Sequence, residues 1–449
     1  LDQPLLEQVN FLNRWKYMSK KFMTQFGLKY LQEDRLGGQM AYDDSKIRNS
    51  DNGYGIGIHS ERAEIYHKMG FIPDRPSTSF GFIQSGSVYD QTSFFGLRVY
   101  EGNQKSYYSN LIFQTYIGTT DHNISTGLSF IYDEFHELVD SNMFNRIERV
   151  PGAYFQYTYT TGHIFTAIAG VRADYHNLWG LFYTPRVHLR YQAYEDLVLR
   201  ASGGKGYRTA SVFAENTYVL ANSRRLVFLE DMKQEEAWNF GLSATQDFHP
   251  GKRDLKFKIE YYRTDFINQV IVDMDADISE VRFYNLEGRS FSNSFQIEAS
   301  YEPIKRLDVT AAYRLTDVRM DINDQLQQKP LVNRYKGLLT FSYITKLKKW
   351  QFDLTAQLNG DGRLPQSSDI PATYRTDDDF PAYYLLNTQI TKYFKKWEVY
   401  AGGENLTNYI QKDPIIASDD PYGPFFDASR VWGPLMGRKI YLGIRYTIN

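Results

Sequence analysis

The stretch Leu255-Lys-Phe-Lys-Ile-Glu-Tyr-Tyr262 decides the class of fold. Leu255, Phe257, Ile259 and Tyr261 fall on one face and Lys256, Lys258, Glu260 and Tyr262 on the other, a period of two that a strand produces and a helix does not. The same two-faced pattern returns in Trp238/Phe240/Leu242/Ala244 against Asn239/Gly241/Ser243/Thr245, and in Leu307/Val309/Ala311/Tyr313 against Asp308/Thr310/Ala312/Arg314. It returns again in Phe352/Leu354/Ala356/Leu358 against Asp353/Thr355/Gln357/Asn359, and in Leu442/Ile444/Tyr446/Ile448 against Gly443/Arg445/Thr447. Strands of this kind are apolar toward lipid and polar toward a lumen in a membrane barrel, or half-buried in a soluble sandwich.

The connections separate these two architectures. Tight turns are expected at 119–122, 161–163, 195–196, 249–253, 304–306, 346–349 and 395–396, and longer segments at 37–60, 138–150, 209–233, 321–333, 360–381 and 408–438. Alternating short and long connections are the mark of an outer-membrane barrel with short periplasmic turns and long outer loops; a sandwich has no reason for them. The reading is therefore an all-β chain, a large antiparallel transmembrane β-barrel in the outer membrane of a Gram-negative bacterium, forming one domain over residues 1–449. The count comes to about nineteen strands, the first near 13–17 and the last at 440–449, both descending. Both termini of such barrels lie in the periplasm and the strand number is even, so about three more strands are expected upstream, about 22 in all, the size of a plugged transporter.

Composition agrees. Across 449 residues, aromatic side chains make up 16%, with 36 Tyr and 30 Phe, as aromatic girdles require. A mean hydropathy of -0.50 and the absence of any long apolar run exclude spanning helices. A net charge of -2 gives no reason to expect a nucleic-acid partner, and zero Cys excludes disulfides, thiolate metal sites and Cys nucleophiles. Lys20-Lys21, Lys348-Lys349 and Lys395-Lys396 fall in expected periplasmic turns beside Trp350 and Trp397, as solvated turns next to an aromatic girdle. Gly53-Tyr-Gly-Ile-Gly57 has no strand-to-helix transition after it and reads as a flexible loop, not a phosphate cradle.

The run Ser202-Gly-Gly-Lys-Gly-Tyr-Arg-Thr-Ala-Ser-Val-Phe-Ala-Glu-Asn216, followed by Lys233-Gln-Glu-Glu-Ala-Trp-Asn-Phe-Gly241, resembles a mid-barrel signature of TonB-dependent outer-membrane receptors. Gly403-Glu-Asn-Leu-Thr-Asn-Tyr409, Trp432-Gly-Pro and Gly437-Arg-Lys-Ile-Tyr-Leu-Gly-Ile-Arg-Tyr446 look like the closing segment of the same family. Gln8-Val-Asn-Phe-Leu-Asn-Arg-Trp15 and Glu33-Asp-Arg-Leu-Gly-Gly-Gln39 are similar to barrel segments of Bacteroidetes members. The resemblance implies a plugged barrel, substrate capture by outer loops, and uptake driven through a TonB contact made by the plug. This sequence departs from the family pattern in showing no plug or TonB-box segment and in ending on Asn449 where a terminal aromatic is common.

Candidate residues follow from the expected topology. The loop 209–233 carries Phe213, Glu215, Asn216, Tyr218, Arg224, Arg225 and Phe228, a mixture of rings and cations suited to a large anionic or planar ligand, or else simply packed on its neighbours. Joint replacement of Arg224 and Arg225 by alanine is expected to weaken capture with folding intact. Tyr374 and Arg375 introduce a second loop whose Asp377, Asp378, Asp379 and Phe380 invite a Ca²⁺ reading, but the spacing matches no EF-hand and suits a solvated acidic tip better. Lumen-facing Arg172, His188, Arg190, Arg200 and Arg314, among the acids Asp174, Glu260 and Glu298, are placed to hold a plug by ion pairs or to line a substrate path. His59, His136 and His176 fall toward the outer rim, where capture of haem or copper is an alternative reading, but they lack catalytic-metal spacing, and neither a cofactor nor a metal site is expected.

The function expected is import of a scarce nutrient, such as a ferric siderophore, haem or cobalamin, with energy from TonB. The partners are outer-membrane lipid, the TonB complex, the small nutrient ligand and, as a further candidate, a surface lipoprotein. A passive porin and an outer-membrane hydrolase are the alternatives; no nucleophile and base assemble in the sequence, so an enzyme is not expected.

Overall fold

A computed structural model describes residues 4–140, 142–251, 253–322, 325–366 and 370–448. Asn449, the last residue of the final predicted strand, lies outside them, as do parts of the predicted connections at 249–253, 321–333 and 360–381. Among the described residues helical structure is confined to 3₁₀ turns of three or four residues, and no helix is long and apolar enough to cross a membrane.

Among the described residues the main sheet has 20 strands. Nineteen are long, in order Leu5–Met18, Phe22–Gly38, Gly55–Phe71, Ser79–Phe95, Arg98–Tyr116, His122–Val139, Asn142–Thr161, Phe165–His176, Gly180–Tyr194, Leu197–Arg208, Glu235–Phe248, Leu255–Asn268, Ser290–Ile304, Leu307–Ile322, Tyr335–Ile344, Trp350–Asn359, Tyr383–Tyr393, Trp397–Glu404 and Lys439–Tyr446. The twentieth, Gln325–Gln328, doubles back on the upper end of Leu307–Ile322. The nineteen long strands match the number read from the sequence. By its contacts the chain divides into two compact units, the first Leu1–Leu189, Gly204–Ser223 and Ser418–Phe426, the second Arg190–Gly203, Arg224–Ala417 and Asp427–Asn449.

In the second unit the register turns alternation into faces. Leu307, Tyr343, Phe352, Ile390, Ala401 and Leu442 lie opposite one another across six strands, one apolar row. The next row, Asp308, Ser342, Asp353, Gln389, Gly402 and Tyr441, is polar and points the other way. Its members are bonded along the wall: the Ser342 hydroxyl donates to Asp353 at 2.7 Å, the Gln351 amide donates to the same carboxylate at 2.9 Å, and the Tyr441 hydroxyl donates to Gln389 at 2.9 Å. A Cβ at Gly402 would collide with the Tyr441 ring, so only glycine lets that tyrosine lie across the sheet. Single cysteines at 352 and 354 should accordingly react with lipid-phase probes and those at 353 and 355 with aqueous ones. The reverse pattern would overturn the register.

Two departures from the sequence reading have physical causes. The segment 138–150 is not a loop: one strand ends at Val139 and the next begins at Asn142, and their residues pair up to that point. The strand Asn142–Thr161 is 20 residues long, about twice the 9–11 needed to span. Its outer part therefore lies above lipid, where both faces are polar and alternation fades. The 3-stranded sheet formed by Arg225–Phe228, Val270–Asp273 and Glu280–Asn285 was not legible either, because runs of four to six residues carry too little periodicity.

Candidate ligand-capture loops

Within each unit the long connections fold back on themselves. In the second unit the centre of this structure is Asp427, itself buried. Its Oδ2 accepts from Arg224 Nη2 at 3.3 Å and Arg430 Nε at 3.1 Å, and its Oδ1 accepts the backbone N–H of Ser429 at 2.9 Å. Arg224 also donates to the carbonyl of Met274 at 2.7 Å. Arg430 donates to the carbonyl of Pro365 at 2.9 Å and of Gln366 at 3.2 Å. Beside it Arg363 pairs with Asp275 at 2.7 Å, and the other oxygen of Asp275 accepts the Gln366 N–H at 2.8 Å. Four connections that are far apart in sequence are thereby held by buried charges whose donors and acceptors are matched, the condition under which a buried ion pair is tolerated.

The strand Arg225–Phe228 continues from this point and pairs in parallel with Glu280–Phe283. Phe228 stacks on the fully buried Phe283 with centroids 4.7 Å apart. Arg225 is exposed and pairs with Glu280, which Arg282 also contacts at 2.8 Å. The sequence reading treats Arg224 and Arg225 alike; the structure separates them. Arg224 is 2% exposed and ties loops together, so its removal is expected to disturb loop packing and not capture alone. Arg225 stands at the surface. No sequence signal distinguishes them, since burial of a loop arginine is decided by partners some 200 residues away.

The first half of the same loop belongs to the first unit. Phe213 is 1% exposed and meets Phe144 edge-on at 5.3 Å, while Arg146 donates to the carbonyl of Ala210 at 3.1 Å and the hydroxyl of Ser211 at 3.2 Å. Glu215 pairs with Arg208 at 2.8 Å, and the Asn216 amide donates to the Val212 carbonyl at 2.8 Å. Tyr218 keeps an exposed ring. Phe213 and Asn216 therefore shape the loop.

In the second acidic loop Tyr374 ends a 3₁₀ turn, and Arg375 is exposed with its Nε on the Ile370 carbonyl at 3.0 Å. Asp377 and Asp378 are exposed, Asp379 pairs with Arg334 at 3.1 Å, and Phe380 is buried, stacked on Trp432 at 5.1 Å. Among the described residues no group of three or more His, Asp or Glu is placed to hold a metal ion.

Of the expected lumen residues, Arg172 grips Asp174 with two bonds of 2.6 Å. Arg190 donates to Gln192 at 3.1 Å, and Arg200 reaches Thr245 at 3.4 Å. Arg314 stands opposite Gln296 and Lys336, and His188 is exposed. His59 and His136 point to the lipid-side face, beside Asp34 at 2.5 Å and Glu134 at 3.0 Å, whereas His176 is 2% exposed with Nε2 3.3 Å from Glu148.

Nineteen long antiparallel strands with apolar and polar faces in register fit an outer-membrane barrel. Residues 6–406 match the model of the TonB dependent receptor-like β-barrel family, and the chain belongs to that family, which places it in the outer membrane of a Gram-negative bacterium. Solved structures agree on the fold. A mutant of the ferric enterobactin receptor PfeA from Pseudomonas aeruginosa superposes with a TM-score of 0.73 at 11% identity, over 98% of this chain and 69% of that one. The ferripyoverdine receptor of Pseudomonas aeruginosa gives 0.71 at 12%, over 99% and 65%, and the ferric citrate transporter FecA gives 0.69 at 13%, over 97% and 69%. The chain thus spans about two thirds of the length of these receptors. No curated protein sequence matches it.

Proposed function

We propose that this chain is the barrel portion of a receptor that captures a metal chelate, such as a ferric siderophore, haem or cobalamin, at its outer loops and imports it with energy from TonB. The observation that carries the reading is the loop structure of the second unit. Arg225 and Arg375 stand exposed on connections whose bases are fixed by the buried Asp427 and Asp275 pairs. Pre-ordered cations of this kind bind an anionic chelate without a large ordering cost.

Further strands and a plug belong to the same proposal. All fourteen residues of Leu5–Met18 are exposed, and the strand pairs with Phe22–Gly38 along one edge. The chain's span of about two thirds of the solved receptors supports further strands and a plug supplied from upstream or by a partner, since an edge left open in hydrocarbon would leave backbone groups unsatisfied at several kcal/mol each. Residues 1–449 expressed alone are therefore expected not to insert as a stable monomeric barrel. Heat-modifiability on gels reads this directly, and a closed barrel from the segment alone would sink that part of the proposal.

Cells expressing the full-length receptor should accumulate one labelled chelate from a panel of ferric siderophores, haem and cobalamin, and lose uptake without TonB. Arg225→Ala is expected to weaken capture about tenfold, in line with loss of a charge-assisted hydrogen bond. Uptake indifferent to TonB would favour a porin.

A further inference from the structure

The segment 210–221 has a place in the fold that ligand capture alone does not explain. On the strands Arg98–Tyr116, His122–Val139 and Asn142–Thr161 the residues Tyr100, Glu137, Val139, Phe144 and Arg146 alternate in register with the exposed Leu111 and Leu128, and so lie on the inner face. The segment folds back onto this face, at the end of the strands away from the short turns 117–121 and 162–164. Phe213 meets Phe144, and Arg146 donates to Ala210 and Ser211. Arg98 Nη1 reaches the Val219 carbonyl at 3.5 Å. Glu137 accepts both the Tyr100 hydroxyl at 3.0 Å and the backbone N–H of Ala214. Val219 and Leu220 are wholly buried.

The segment is also closed on itself. The Glu215 carboxylate accepts the Ser211 N–H at 2.9 Å while pairing with Arg208, and the Glu215 N–H donates to the Ser211 carbonyl at 3.0 Å. Asn216 N–H donates to Phe213 and Val219 N–H to Asn216, each at 3.0 Å. A connection that buries apolar anchors and satisfies its own backbone belongs to the stable part of a structure; mobile lids lack such contacts. The side turned from the wall carries Ala214, Glu215 and Tyr218, all exposed. Tyr218, 40% exposed, is followed directly by the two buried anchors Val219 and Leu220, which fix its backbone.

We propose that residues 210–221 form a fixed strap that sets the largest chelate the mouth admits, with Tyr218 as its specificity-determining residue. This rests on the import reading above. A ring carried by a rigid support excludes by volume, since a close-packed anchor does not give way to an oversized ligand. A compact chelate passes beside the strap; the same chelate with a bulky substituent does not.

The test uses cells expressing the full-length receptor, whichever of the ferric siderophores, haem and cobalamin wild type imports, and the same compound conjugated to fluorescein. Wild type should take up the parent and exclude the conjugate. Tyr218→Ala should admit both, Tyr218→Phe should restore exclusion, and Tyr218→Trp should lose uptake of the parent. Phe213→Ala with Arg146→Gln, which frees the strap and leaves Tyr218 in place, should admit the conjugate as well. Equal uptake of parent and conjugate by wild type, or continued exclusion by Tyr218→Ala, overturns the proposal. Proteolysis reads the strap without cargo: wild type should stay uncut within 210–221, and the Phe213→Ala, Arg146→Gln variant should be cleaved there. Cleavage of the wild-type strap overturns the proposal even where TonB-dependent import stands. A wild type that imports no chelate overturns the import reading and the size limit with it, however the strap behaves.

Discussion

Asp427→Ala is expected to release the outer loops of the second unit. The substitution removes the acceptor from two buried guanidinium groups, Arg224 and Arg430, which are 2% and 3% exposed. Breaking a buried pair from one side costs about 3–5 kcal/mol, because the remaining charge stays desolvated. Here the loss falls on loops and not on the strand ladder. Proteolysis should therefore open new cleavage sites around 365–376 and 427–430 while the barrel remains heat-modifiable. Asp427→Asn, which keeps an acceptor but not the charge, should be intermediate. A protease pattern identical to wild type for Asp427→Ala would show that the loops are held by something else.

The second large effect concerns the lipid face. Ile259 has Ala244 and Ile297 as its neighbours across the strands, and Phe257 has Gln246 and Ala299. An arginine near mid-membrane on this face costs about 2–4 kcal/mol. Ile259→Arg and Phe257→Arg are both expected in that range. Ile259→Arg should be the costlier, since its cross-strand neighbours offer no polar group. Lys258→Gln, on the lumen face opposite Thr245 and Glu298, should change stability little. Urea titration of the full-length protein in lipid vesicles measures all three, and equal costs on the two faces would refute the facing assigned here.

Much of the fold was legible because a membrane barrel repeats one rule: each spanning residue faces either lipid or lumen, so Leu255 to Tyr262 states its own orientation. The rule lapses where strands leave the membrane. His122–Val139 and Asn142–Thr161 place Asp133, Glu137 and Glu148 on the inner face and Glu134 and His136 on the outer, both polar, and the sequence there reads as a loop. The candidate loops were legible in composition and not in role. Arg224 and Arg225 are adjacent, yet one is sealed against Asp427 and the other faces solvent, and only the long-range pairing decides which. Asp275, Arg363 and Arg430, which fix the same loops, carry no local pattern at all.

The segment Ser418–Phe426 bears on how the protein is made. Tyr422 donates to the carbonyl of Gly53 at 2.7 Å across 369 positions, Gln39 donates to Ser418 across 379, and Phe426 packs on Tyr54 with centroids 4.6 Å apart. Contacts this distant in the chain form late, after the loop-closure entropy has been met by nearer pairings. The connection 39–54 must therefore wait for the segment 418–426, 369 to 379 positions later, before it is covered. During assembly it stays accessible longest, and hydrogen exchange there should be the final protection acquired.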